Sequence, residues 1–303
     1  MAEGTEAGEL RRFLVEGLPL RGHWVSLGAA WQELRSRRAY PPIVESLLGE
    51  AAAAVVLLAA TLKFAGTLTM QFAGSGRVRL LVAQCTDEFR LRAIAHHDLA
   101  DGEPAEFDEL VGAGNLVVTV QSDTTSANYQ GIVPLEGGTL GECLQRYFEG
   151  SEQLPTRLKL VADHAHAGGM LLQRLPRDGE SAGALVQSAW EDLQHGLESL
   201  APEALLAGPA AAVVQRVGGE HDCRLFGATP VSFACRCSDE RVAGLVRSLG
   251  LDEARAALAE QGALTVTCEF CGRSYRYDAV DVEQLFASEA LPRGEGGERG
   301  PLN

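Results

Sequence analysis

The chain has 303 residues, 46% of them hydrophobic, and sets 26 basic side chains against 41 acidic ones for a formal net charge of −15. That is enough apolar material for a sizeable core and two or three compact units, and it excludes an intrinsically disordered chain. The acid excess argues against a nucleic-acid partner, because phosphate binding needs clustered Lys and Arg.

The opening stretch MAEGTEAGELRR carries acids and lacks the basic and apolar regions of a secretory signal. The longest uninterrupted apolar run, 51–60, is half of the ~20 residues that cross a bilayer. The expectation is a soluble, cytoplasmic protein with no membrane partner. Its seven cysteines are then reduced thiols, suited to metal binding or redox sensing rather than to a disulfide framework.

The chain reads as α+β. Residues 1–177 form a sheet-rich α/β domain, with strand-like stretches RRFLVEG, TLTMQFAG, RVRLLVAQC, FRLRAIAHH, NLVVTVQS and RLKLVAD between Gly, Asp or Ser breaks. Two helices are predicted between the early strands. One is GAAWQELRSRR; the other starts at Pro41 and Pro42, where proline suits a first turn, and continues through IVESLLGEAAAAVVLLAATLK. The second has so little polar face that it should be buried against the sheet. TLGECLQRYFEG gives a further amphipathic helix around Leu140, Leu144 and Phe148.

Residues 178–222 change character. Val186, Trp190, Leu193, Leu197 and Leu200 recur at helical spacing, and Pro202, Pro209 and several glycines then break the segment into short pieces rich in alanine. Alanine favours helix but buries little area, so docking stabilises these pieces only modestly. A metastable helical linker and an ordinary helical subdomain both fit this composition.

Residues 223–287 carry the densest chemistry. Cys235 and Cys237 form a CxC pair, and 30 residues later Cys268 and Cys271 form a CxxC pair that runs on as CEFCG. Two short pairs at this distance can bring four sulfurs to the corners of a tetrahedron, the geometry Zn²⁺ accepts from thiolates. Gly272 can take positive φ and curl the turn around a metal. Helices are expected over SDERVAGLVRSL and DEARAALAEQ, with Ser238 and Asp252 as N-caps, followed by a two-stranded ribbon around the CxxC. Arg236, Arg241, Arg273 and Arg276 either moderate the negative charge of four thiolates or form a solvated basic face. A knuckle that only holds a small domain together and a redox switch are both open on the motif alone. The tail, 288–303, is polar and glycine-rich and is expected to be disordered.

At this point the sequence resembles the redox-regulated chaperones of the heat-shock protein 33 family, the 33 kDa chaperonins. The likeness rests on VEGLPLRGHWVSL, YPPIVESLLGEAAAAVVLLAATLKFAGTLTMQFAGSG, YQGIVPLEGGTLGECLQRYFEGSEQLPTRLKL, FGATPVSFACRCSDERV and TVTCEFCGRSY in this order, and so covers almost the whole chain. It implies an ATP-independent holdase rather than an enzyme. One Zn²⁺ would be held by Cys235, Cys237, Cys268 and Cys271 in the inactive reduced form. Oxidation would release it, unfold the linker and expose apolar surface to unfolding client proteins. The resemblance assigns substrate binding and dimerisation to 1–177, with a homodimer when oxidised, and the redox switch to 223–287. Oxidation is expected to join Cys235 with Cys237 and Cys268 with Cys271, since neighbours close the smallest loops. Trp190, Leu193 and Leu197 are the linker side chains expected to cover the first domain.

The alternative function is a thiol-disulfide oxidoreductase using the CxxC pair, which needs that pair at a helix N-terminus. Other candidates are weaker. His96 with His97 and His164 with His166 have no matching carboxylate constellation, and Cys85 and Cys143 have apolar neighbours among which cysteine acts as a small hydrophobe. Cys223 is read as a bystander thiol. GxSxG, HExxH and P-loop motifs do not occur, which leaves hydrolytic and nucleotide-driven readings without support.

Overall fold

Period-two alternation of apolar side chains builds a sheet of eleven strands in the computed structural model, which describes residues 7–124, 128–150, 152–176 and 183–287. The expected tail, 288–303, and the first linker residues, 178–182, lie outside them. The chain divides into two compact units between Cys235 and Arg236.

In the first unit an antiparallel half-sheet runs β7-β6-β3-β4-β5. Its strands are β3 (Gly66–Gly74), β4 (Val78–Thr86), β5 (Arg90–His97), β6 (Gly114–Ser122) and β7 (Asn128–Pro134). A second half runs β1-β2-β9-β8, from β1 (Gly8–Val15), β2 (Leu20–Ser26), β9 (Ala167–Arg174) and β8 (Thr156–Ala162). The halves meet on β11 (Thr229–Phe233), which pairs antiparallel with β1 at Leu10↔Thr229 and parallel with β5 at Phe233↔Leu91. The short β10 (Cys223–Leu225) takes the rest of the same edge of β1.

Helix α1 (Gly28–Arg35) precedes α2 (Pro42–Thr61), whose expected start at the proline pair is observed. By length and composition α2 could cross a membrane, but it is largely buried as the core helix of the sheet. A Cβ at Gly49 would lie 2.5 Å from that of Ala162, so glycine is what lets the helix approach β8 this closely. The short α3 (Phe107–Val111), which the sequence did not suggest, is closed by a capping box between Glu106 and Glu109. The amphipathic α4 (Leu140–Gly150) buries Leu140, Leu144 and Phe148 as its spacing requires.

The half-sheet around β1, β2 and β9 is covered on both faces. Leu10, Val25 and Leu171 point into the core built on α2, while Phe13, Val15, Leu20, Trp24, Met170 and Leu172 point the other way. That second face is covered by α5 (Gly183–Ser199), α6 (Pro202–Ala207) and α7 (Ala210–Gly218), the helices of the alanine-rich segment. Trp190, Leu193 and Leu197 are all buried there. Lys159 on β8 donates to the carbonyls of Leu197 (3.2 Å), Glu198 (3.0 Å) and Leu200 (2.5 Å), satisfying the end of α5 that lacks intrahelical partners.

The second unit is small. Helices α8 (Asp239–Leu249) and α9 (Leu251–Gln261) lead into the ribbon of β12 (Leu264–Thr267) and β13 (Ser274–Tyr277), followed by α10 (Ala279–Ala287). Ser238 caps α8 as expected, its hydroxyl accepting from the Arg241 N–H at 3.3 Å. Asp252 does not cap α9: Gly250, at φ +90°, both ends α8 and begins α9, which leaves Asp252 inside the first turn. The buried cluster is Val246, Ala254, Leu264 and Val282, a thin core for an independent fold.

Residues 223–235, grouped in the sequence with the cysteine-rich segment, fold with the first compact unit. The reason is tertiary, because β10 has three residues and β11 five with a proline among them, and both take their identity from β1 and β5.

His23 on β2 is buried, and its Nδ1 has no hydrogen-bond partner among the described residues. Burial, followed by Arg21 and Arg12, lowers its pKa to about 3. The unfolded chain accepts this proton near pH 6.5, so the stability associated with the neutral ring is present above that pH and is lost as pH falls towards 3. Urea unfolding at pH 7 and pH 5 should show His23→Gln losing about 1–2 kcal/mol less between the two than the parent chain. An equally steep loss would show that another group governs acid lability.

Candidate metal centre

The four predicted cysteines come together. Cys235 lies two residues beyond β11: the Ala234 N–H donates to the Leu91 carbonyl at 2.9 Å, extending the β11–β5 ladder to the residue before the thiol. Cys237 lies just ahead of the Ser238 cap of α8. Cys268 and Cys271 bracket the turn between β12 and β13. That turn is closed by the Gly272 N–H donating to Cys268 O (2.8 Å) and the Cys268 N–H donating to Arg273 O (2.9 Å). Gly272 has φ +71°, the left-handed conformation expected of a glycine after CxxC.

The sulfurs of Cys235, Cys237, Cys268 and Cys271 all lie within 4.8 Å of one another, and those of Cys237 and Cys271 are 3.4 Å apart. All four residues are half-buried and free of disulfides. Metal–sulfur bonds of about 2.3 Å in a tetrahedron place sulfurs about 3.8 Å apart, so four thiolates in this cluster fit a thiophilic cation such as Zn²⁺. No other group of three or more metal-ligating side chains gathers among the described residues.

Of the four arginines near these cysteines in sequence, two are engaged by other groups. Arg273 reaches Asp239 Oδ2 at 3.2 Å and lies over the Tyr275 ring at 4.8 Å, and Arg241 donates to Arg236 O at 3.0 Å. Two groups that the sequence did not single out face the sulfurs instead. Arg92 on β5 directs Nη1 to Cys235 Sγ at 4.0 Å. The buried Tyr275 hydroxyl meets no oxygen or nitrogen partner among the described residues; it interacts with the Cys237 sulfur, which with burial pushes its pKa up to about 12. Tyr275 had a faint signal, as an apolar-facing position of a strand next to the CxxC. Arg92, 143 residues from Cys235, had none.

A family model described as Hsp33 protein matches residues 8–278. The chain belongs to the Hsp33 family. It is 41% identical to the 33 kDa chaperonin of Nitrosococcus oceani over 280 residues, covering 92% of this chain and 94% of that protein. It is also 41% identical to the 33 kDa chaperonin of Pseudomonas paraeruginosa over 285 residues, covering 93% and 96%. The crystal structure of the 33 kDa chaperonin (heat shock protein 33 homolog) of Thermotoga maritima shares the fold, with a TM-score of 0.78 at 23% identity over 93% of this chain and 98% of that one. Hsp33 proteins are chaperones, so the activity to be explained is binding of another protein rather than chemical turnover.

The remaining thiols are unlike the four. Cys85 and Cys143 are buried, and burial raises both, Cys143 to about 11. Cys223 on β10 is half-buried and is raised for the same reason. A protonated thiol is a poor nucleophile and ligand, which fits the packing and bystander roles read in the sequence. His164 bonds Glu45 Oε1 at 3.0 Å and His166 lies 3.7 Å from Asp163 Oδ1, contacts outside any group of three or more metal-ligating side chains among the described residues.

Reduced protein should bind one thiophilic metal ion per chain, and Cys271→Ser should weaken that binding by orders of magnitude and lower the melting temperature of the second unit. Unchanged stoichiometry and affinity in Cys271→Ser, measured by chelator competition, would remove Cys271 from the site.

Proposed function

We propose that the chain is an oxidation-activated holdase whose reduced form is held inactive by Zn²⁺ on Cys235, Cys237, Cys268 and Cys271, in the cytoplasm, with unfolding proteins as clients. The observation that carries this reading is the placement of the four-sulfur cluster at the end of β11, the strand that completes the sheet after helices α5–α7 have covered its second face. Bound there, the ion would supply a cross-link that the thin core of the second unit does not provide.

With hydrogen peroxide as oxidant, the two thiolates of a pair give up two electrons to the O–O bond; an S–S bond forms and, with two protons, two waters leave. Each disulfide withdraws two of the four ligands, so one is enough to dismantle the site. Cys268 with Cys271 should close first, because the CxC ring is the more strained, and Cys235 with Cys237 second.

The apolar surface available for clients is the face now under α5–α7: Phe13, Val15, Leu20, Trp24, Met170 and Leu172 on the sheet, with Trp190, Leu193 and Leu197 as its cover. Helices of 6 and 9 residues do not hold together without packing, so α6 and α7 depend on that face to stay folded. Residues 178–222 would act as the linker whose release opens it, and newly exposed apolar surface also favours a homodimer of the oxidised chain. The oxidoreductase alternative needs the CxxC at a helix N-terminus, and this pair occupies a turn between two strands.

Peroxide should give client protection together with metal release and loss of hydrogen-exchange protection over α5–α7. Peptide mapping that returned mainly Cys235–Cys268 links, or turnover of a disulfide substrate without client protection, would overturn the scheme. Leu193 is fully buried, so Leu193→Glu should weaken linker docking by about 3 kcal/mol or more and activate the reduced protein. If that variant still needs peroxide, the linker is not the switch.

A further inference from the structure

Thr69, Gln84 and Arg92 sit directly opposite one another on β3, β4 and β5. All three are half-buried, on the sheet face away from the one that carries Leu68, Cys85 and Leu91 into the core. Gln84 Nε2 donates to Thr69 Oγ1 at 2.9 Å, and Arg92 Nε donates to Gln84 Oε1 at 2.7 Å. Arg92 Nη1 then points at Cys235 Sγ, 4.0 Å away. A polar row across three strands thus ends on one of the four clustered thiols.

This arrangement limits what the guanidinium can do. Arginine stays charged at any pH at which the protein folds, and with Nε fixed on Gln84 its remaining donors are aimed rather than free to rotate. A thiolate is the form of Cys235 that holds a metal, and an N–H···S bond to a thiolate is charge-assisted, whereas one to a disulfide sulfur is not. Four thiolates around a divalent cation carry a net charge of about −2, which a fixed neighbouring cation offsets.

We propose that Arg92 is the positioning residue of Cys235. It holds the thiolate in register beside β5 and offsets its charge, so the tie between this sulfur and the sheet exists only while Cys235 is reduced. The inference rests on the oxidation-switch reading above and adds to it a specific sensor of the sulfur's charge, placed next to the β11–β5 pairing at Ser232↔Arg90 and Phe233↔Leu91. When Cys235 enters a disulfide, Arg92 loses its anionic partner, and the two-residue parallel ladder loses the side-chain bond beside it.

The test uses the full-length reduced protein, with Zn²⁺ affinity read by chelator competition and amide exchange read at 231–234. Arg92→Gln should weaken Zn²⁺ binding about tenfold to a hundredfold, the usual range for a group that orients a metal ligand. It should also raise exchange at 231–234 in the reduced form towards the level of the peroxide-treated parent. Arg92→Lys, which keeps the charge, should recover much of both. Gln84→Leu, which frees Nε, should fall between the two. Parent-like affinity and exchange in Arg92→Gln would overturn the proposal, as would Arg92→Lys failing as badly as Arg92→Gln, since that pattern means a packing role. A parent chain that binds Zn²⁺ but gains no client protection with peroxide would sink the switch reading while leaving these affinity comparisons decisive for Arg92. A parent chain that binds no Zn²⁺ would overturn both.

Discussion

Main-chain pairing of one five-residue strand, β11, joins the two halves of the sheet. On one side it meets β1 antiparallel; on the other it lies parallel to β5 through two registered pairs and the Ala234 bond to Leu91. Because parallel partners cannot be joined by a tight turn, β11 has to arrive from far along the chain, after the helices that cover the opposite face of β1, β2 and β9. The fold thereby places the covering helices, the completing strand and the first of the four clustered thiols in close succession.

That succession gives the helical cover its energetic character. Trp190, Leu193 and Leu197 bury well, and Lys159 satisfies the carbonyls at the end of α5. Yet α6 and α7 are short, alanine-rich and opened by prolines, so their order comes from the sheet beneath them and little of it from their own propensity. The order of these helices is therefore tied to the sheet face on which they pack. That face is rich in large apolar side chains, Phe13 and Trp24 among them.

The second unit obtains its order differently. Its buried cluster is four side chains, and the sulfurs of its three cysteines with that of Cys235 form the densest set of cross-linkable groups among the described residues. Around them the groups that meet come from both near and distant parts of the sequence. Arg273 and Arg241 are engaged by Asp239 and the Arg236 carbonyl, while Tyr275 meets Cys237 and Arg92 meets Cys235.

Much of this was legible in the chain itself. The cluster of four cysteines was, because CxC and CxxC are local patterns whose chemistry depends on spacing. The core helix from Pro42 and the strands β3 to β6 were legible because one covered face gives clean alternation and an uncapped apolar run gives a buried helix. The positions of Trp190, Leu193 and Leu197 followed from helical spacing. What escaped were elements whose identity comes from a distant partner. Strands β2 and β9 are buried on both faces and interrupted by glycine, so period two is blurred. β10 and β11 are three and five residues long and exist as strands because β1 and β5 offer unpaired edges. The N-cap of α9 passed to Gly250 because two helices share a single joint residue there. Arg92 lies 143 residues from the sulfur it faces, and only the stacking of β3, β4, β5 and β11 decides that it faces it at all. Local composition determined which groups this protein carries; long-range strand pairing decided which of them meet.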